Sequence, residues 1–239
     1  MAKLSWPTTA VALFRLHMRR SVASWMSNLF YAFMLPLIVY LLVRSAAAAE
    51  QSKPILMTGT ILNAAILVNI RHLTRQMNRD RATGAFALLA TCGVTRTHYI
   101  AARLLDVAGL AILPLAAGAA IVVFDSSAFM GLTKWWLHYS LFVAALAGIS
   151  GCLVAFLRPP LTGLAANLTT VLFFALCPLY YPATRVPDMF SGVVRWLPPA
   201  LAAEGMRVGD GSVESAVALA VWVFVSWGLA GVRFPWTNS

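Results

Sequence analysis

The chain has 239 residues, of which 60% are hydrophobic and 11% charged, with a formal net charge of +10 and a mean hydropathy of +0.78. One soluble core of that length has no room for so much apolar surface, so a soluble globular domain is excluded and an integral membrane protein is expected. The apolar runs are long, contain Gly and Pro, and show no period-two alternation, which excludes a transmembrane barrel and predicts an all-α, polytopic fold as one domain over 1–239.

In chain order, Val11, Phe14, Met18, Val22 and Trp25 recur at helical spacing beside Arg15 and Arg19. This predicts an N-terminal amphipathic helix on the membrane surface, with a plain basic anchor on anionic lipid as the equal alternative. A hydrocarbon core of about 30 Å needs roughly 20 apolar residues per helix. Six stretches qualify: Trp25 to Val43, Ile55 to Leu73, Leu104 to Phe124, Trp135 to Leu157, Leu161 to Tyr181, and Val213 to Val232. The first is followed by Arg44 and a run of alanines that offers a cleavage site, but the long basic lead-in favours a retained span. Thr58, Thr60, Asn63 and Asn69 dilute the second. Trp135 and Trp136 at the start of span 4, and Tyr180 and Tyr181 at the end of span 5, read as interfacial aromatic anchors. Arg158-Pro159-Pro160 predicts a tight hairpin between spans 4 and 5.

Charge orients these spans. One side carries twelve bases against Asp80 and Asp106, and the other carries six bases against six acids. The positive-inside rule makes the basic side cytoplasmic, with both termini there, in a cell (inner) membrane. The basic pI of about 10.3 is then a matter of topology and not of nucleic-acid binding.

Catalytic chemistry is hard to assemble. His17, His72, His98 and His138 are scattered and read as interfacial, and Cys92, Cys152 and Cys177 are odd in number and far apart, so neither a metal site nor a disulfide framework follows. Gly148-Ile149-Ser150-Gly151 lacks the last glycine of a serine elbow and reads as close helix packing. No Gly is followed by Lys, so a phosphate-cradling P-loop is excluded. Asp106 sits one helical turn after Arg103 and pairs locally, which leaves no deep acid for an ion relay. Asn63, Asn167 and Pro178 are the polar or helix-breaking features at depth and the candidates for a substrate path.

Two segments outside the spans are unusual. The connector 74–103 is basic yet has an apolar middle, Ala85 to Ala90. The segment 182–212 is apolar for a loop and is broken by Pro198-Pro199. It predicts two short helices, re-entrant into the outer leaflet or lying on its surface. Within the connector stand Arg79-Asp80-Arg81-Ala82-Thr83-Gly84, then Leu88-Leu89, then Thr91-Cys92-Gly93-Val94-Thr95-Arg96 with Tyr99 following. The later segment carries Tyr181-Pro182, Val186-Pro187, Trp196-Leu197-Pro198 and Glu204 to Arg207. In this order, and with six spans, the chain resembles the type-two class of ABC exporter permeases, membrane subunits without their own ATPase domain. It departs from that pattern at Ala82 and Ala87, where the family commonly has acids, and at Gly93, where it usually has Pro.

The resemblance implies a transport subunit and no enzyme. The connector would be a coupling helix seated in a separate ATPase subunit, with Asp80, Arg81 and Arg96 making polar contacts and Phe86, Leu88 and Leu89 packing. Arg79, Gly84 and Gly93 complete that contact set. No cofactor is expected on this chain; ATP and Mg would sit on two copies of the partner ATPase. A second permease subunit, as homodimer or heterodimer, would complete the path for efflux of a hydrophobic or amphipathic substrate such as a drug, a peptide or a lipid-linked molecule. A haem-export permease of cytochrome maturation is the alternative within the class, and an ion-coupled secondary transporter the alternative outside it.

Overall fold

The computed structural model describes residues 30–46, 53–124, 132–207 and 212–234. The predicted N-terminal amphipathic helix and the start of the first span lie outside the described residues. The rest of that span is a π-helical turn, Phe30–Met34, that runs into α1, Leu35–Ala46. Five helices among the described residues are long and apolar enough to cross a membrane, and a shorter apolar helix covers Ala32–Leu42. The protein is an all-helical, multi-pass membrane chain.

The second predicted span is part of a longer helix. α2, Lys53–Ile66, a π-helical stretch, Leu67–Leu73, and α3, Thr74–Ala82, follow one another without a break. The helix outruns Leu73 because Thr74, Met77 and Asp80 keep a buried stripe at helical spacing while Arg75 and Arg79 face outward. A π-helical stretch shifts the backbone ladder, and one carbonyl within it, that of Asn69, accepts a 3.2 Å hydrogen bond from Ser150 Oγ.

The connector is therefore helical over most of its length. After α3 comes α4, Ala85–Thr91, and then α5, Arg96–Phe124, which begins eight residues before the predicted third span and contains Pro114. α6, Leu132–Phe156, and α7, Pro159–Leu176, form the predicted hairpin around Arg158. α7 stops short of the predicted Tyr181. Pro178 disfavours helical backbone at the residue before it, and Cys177 is extended at φ −78 and ψ 140.

Beyond it lie α8, Asp188–Val194, α9, Pro198–Arg207, and α10, Ser212–Arg233. α9 is buried along most of its length, packed on α2, α6 and α10. Trp135 is buried and donates 3.1 Å to the Met206 carbonyl, so it locks α6 to α9, whereas Trp136 is exposed as an anchor would be. His138 is also buried, sharing a 3.0 Å hydrogen bond with Ser215 Oγ that joins α6 to α10.

α6 and α10 pack along one another. A Cβ at Gly148 would lie 2.0 Å from Ser226 Oγ, so the glycine is what lets the two backbones meet. The helix Pro54–Ala82 is the centre of the molecule, with 72% of its apolar window buried, against 22% for Pro159–Leu176 and for Val213–Arg233.

Candidate functional site: the connector and the opposite cleft

Two left-handed glycines shape the connector. Gly84, at φ 68, turns the chain between α3 and α4, and Gly93, at φ 76, ends α4. There the Gly93 amide donates to the Ala90 carbonyl at 3.0 Å and the Val94 amide to the Leu89 carbonyl at 3.0 Å, the two bonds of a Schellman cap. Val94 packs against Leu89 as that cap requires. Thr95 then opens α5, its hydroxyl accepting from the His98 amide at 3.4 Å and its own amide donating to His98 Nδ1 at 3.2 Å.

The predicted contact residues divide into two sets. Asp80, Arg81 and Phe86 point inward. Asp80 is buried; Tyr99 donates to its Oδ2 at 2.9 Å and the Arg103 guanidinium forms a salt bridge with the same oxygen. Arg103, itself 1% exposed, also donates from Nε to the Tyr99 hydroxyl at 3.1 Å, from Nη1 to Asp106 at 3.3 Å, and to Gln76. Arg81 Nη1 donates to the carbonyls of Val154, at 2.8 Å, and Leu157, at 2.7 Å, at the end of α6. Phe86 is buried in an aromatic triad, 5.1 Å from Tyr99 and 5.2 Å from Phe234 between ring centres.

The other set faces out. Arg79, Gly93 and Arg96 are exposed, Gly84 and Leu89 half-buried, and Leu88, the one large apolar side chain wholly turned outward on α4, is 66% exposed. The connector is thus a rigid, internally bonded knuckle that presents a leucine among arginines.

At the other end of the central helix, some 40 Å away for a helix of this length, Arg207 of α9 plays a comparable structural part. Its guanidinium donates to the carbonyls of Pro178 at 2.7 Å, Tyr181 at 3.4 Å, Ile55 at 3.2 Å, and Leu179. It thereby ties the non-helical segment after α7 to the start of α2. Burial pulls its pKa down to about 10. Arg207, Pro178 and their neighbours line a cleft of about 620 Å³. Of the three path candidates only Pro178 lines it; Asn63 is half-buried in α2 and Asn167 is exposed midway along α7.

Residue patterns did not point to Gln76 or Phe234, and they marked Tyr99 and Arg207 within the two unusual segments without giving either a role. A pairing of Arg103 with Asp106 was readable from their spacing; the share held by Asp80, 23 residues away, was not. Among the described residues no group of three His, Cys, Asp or Glu is placed to hold a metal ion. Comparison with family models, with curated proteins and with solved structures finds no match to this chain.

Proposed function

We propose that this chain is the membrane subunit of an ABC-type exporter, and that α4 is the element through which a separate ATPase subunit moves it. The observation that carries the reading is the exposed Leu88 on a short helix fixed from behind by Asp80, Arg81 and Phe86. A polybasic loop held to anionic lipid needs arginines but no rigid apolar tip. A docking helix needs both: an apolar anchor that fills a pocket, and peripheral charges that steer it.

In this reading the basic side is cytoplasmic, the first predicted span completes six, and α8 and α9 re-enter the outer leaflet. Arg79, Arg96 and Leu88 touch the ATPase, whereas Asp80, Arg81 and Phe86 act behind them as positioning residues, a change from the contacts expected of the motif. ATP and Mg bind on the partner, two copies of this chain or this chain and a similar one flank the path, and the cargo is hydrophobic or amphipathic.

The test is co-purification of the full-length chain with a P-loop ATPase expressed alongside it. Leu88→Glu is expected to abolish the association while leaving the chain folded, because Leu88 is 66% exposed. Undiminished association in Leu88→Glu, or absence of any ATPase from the unmutated complex, overturns the proposal.

A further inference from the structure

The cleft at the end opposite the connector has a division of labour in its walls. Val186, Val194, Ala200 and Ala203 are buried and form an apolar floor, while Ser191, Arg195 and Glu204 are exposed at its rim. Its volume of about 620 Å³ falls within the range of sites that enclose a drug-sized ligand or one acyl chain.

Arg207 lines the same cleft, and no carboxylate among the described residues neutralises its charge. All four of its acceptors are backbone carbonyls, which orient the guanidinium but carry no formal charge. Among the described residues no carboxylate pairs with it, and its Nε is buried with no hydrogen-bond partner. Arg195 adds a second cation, lying 5.5 Å from the centre of the Trp196 ring and engaged by no carboxylate among the described residues. Glu204 is the one acid in the lining, so the walls carry a net charge of +1. A half-buried cation lining an apolar hollow is stabilised when an anion enters, because the low local dielectric strengthens the attraction.

From this we infer that the cleft binds an amphiphile with a single anionic head group, the head held between Arg195 and Arg207 and the tail laid on the apolar floor. This is a ligand site of the chain itself and stands whether or not an ATPase couples to α4. A carboxylate of a free fatty acid and the phosphodiester of an anionic lipid share the required chemistry. Arg207 fixes the backbone around the site, so replacing it disturbs the fold as well; Arg195, at the rim, is the informative position.

Equilibrium binding of radiolabelled palmitate to the full-length chain in neutral detergent tests this, with methyl palmitate as the uncharged control. Palmitate is expected to bind saturably at one site per chain, and the ester about tenfold more weakly or worse. Arg195→Gln should weaken palmitate by about tenfold and leave the ester unchanged, and Glu204→Gln should tighten palmitate. Displacement of palmitate by phosphatidylglycerol identifies a lipid head group as the source of the anion, and failure to displace identifies a free fatty anion. Equal affinity for acid and ester, an Arg195→Gln variant that elutes as folded and binds palmitate normally, or no saturable binding overturns the inference.

Discussion

Arg103 is the residue on which the connector end of the molecule turns. It is buried with two carboxylates, a phenol and a carboxamide, and it joins two helices: Gln76 and Asp80 from α3, Tyr99 and Asp106 from α5. Burying such a group costs solvation that the pairing only just repays, so its removal should be far more damaging than its presence is stabilising. Arg103→Met leaves Asp80 and Asp106 buried without their cation and should destabilise the chain by about 3–5 kcal/mol. Asp80→Asn should cost less, since Arg103 keeps Asp106. In the double variant Asp80→Asn with Arg103→Met, part of the loss should return, because one orphaned charge is gone. Thermal unfolding of the three variants, followed by fluorescence-detected gel filtration, checks the order; equal losses from both single changes would show that the cluster does not act through Arg103.

At the level of elements, Gly93 is a position where the backbone dictates the residue. Its φ of 76 closes the Schellman cap of α4, and proline, fixed near φ −65°, cannot adopt that angle. Gly93→Pro should therefore unwind the end of α4 and free Leu88 from its fixed bearing, whereas Gly93→Asn, which tolerates the left-handed region, should cost about 1 kcal/mol or less. Proteolytic nicking between Thr91 and Arg96 distinguishes them: rapid in the proline variant, close to unmutated in the asparagine variant. Helix existence was legible from the sequence because twenty apolar residues have few other uses, and the Pro-Pro hairpin was legible because proline has few other places. Helix ends were not. α3 extends through a charged stretch because its buried face is a narrow stripe, and α7 ends early because one residue precedes a proline. The apolar turn of the connector was readable as something that must be covered, but its cover is divided. Phe86 is hidden by Tyr99 and Phe234, the latter at the far end of the chain, and Leu88 is left bare. No local pattern distinguishes those two side chains, since the difference lies in which of them meets a residue distant in sequence.

For the whole molecule, the exposed face of α7 decides whether one copy or two form the path. That helix buries Thr162, Ala166, Thr170 and Phe173 against its own chain and exposes Leu164, Leu168 and Val171 on the other side, with Asn167 among them. Leucine and valine there suit lipid or a partner equally, and it is Asn167 that separates the two. It lies midway along an 18-residue helix, where a carboxamide facing hydrocarbon has no water to bond, and among the described residues it has no partner. A carboxamide carries both donor and acceptor, so across a two-fold axis it can satisfy its own copy, which matches the paired subunits of the proposed exporter. Asn167→Leu should then loosen self-association in bilayers by about 1 kcal/mol, roughly a fivefold weaker dimer, while leaving the fold of each chain intact. Energy transfer between donor- and acceptor-labelled copies, titrated against lipid, reads that change directly. A cysteine at 167 should also cross-link to its twin under oxidation. Cross-linking without a change in affinity would make the asparagine a lining of the path between copies. A monomer at every lipid dilution would leave α7 facing lipid and remove the two-copy path from the proposed mechanism.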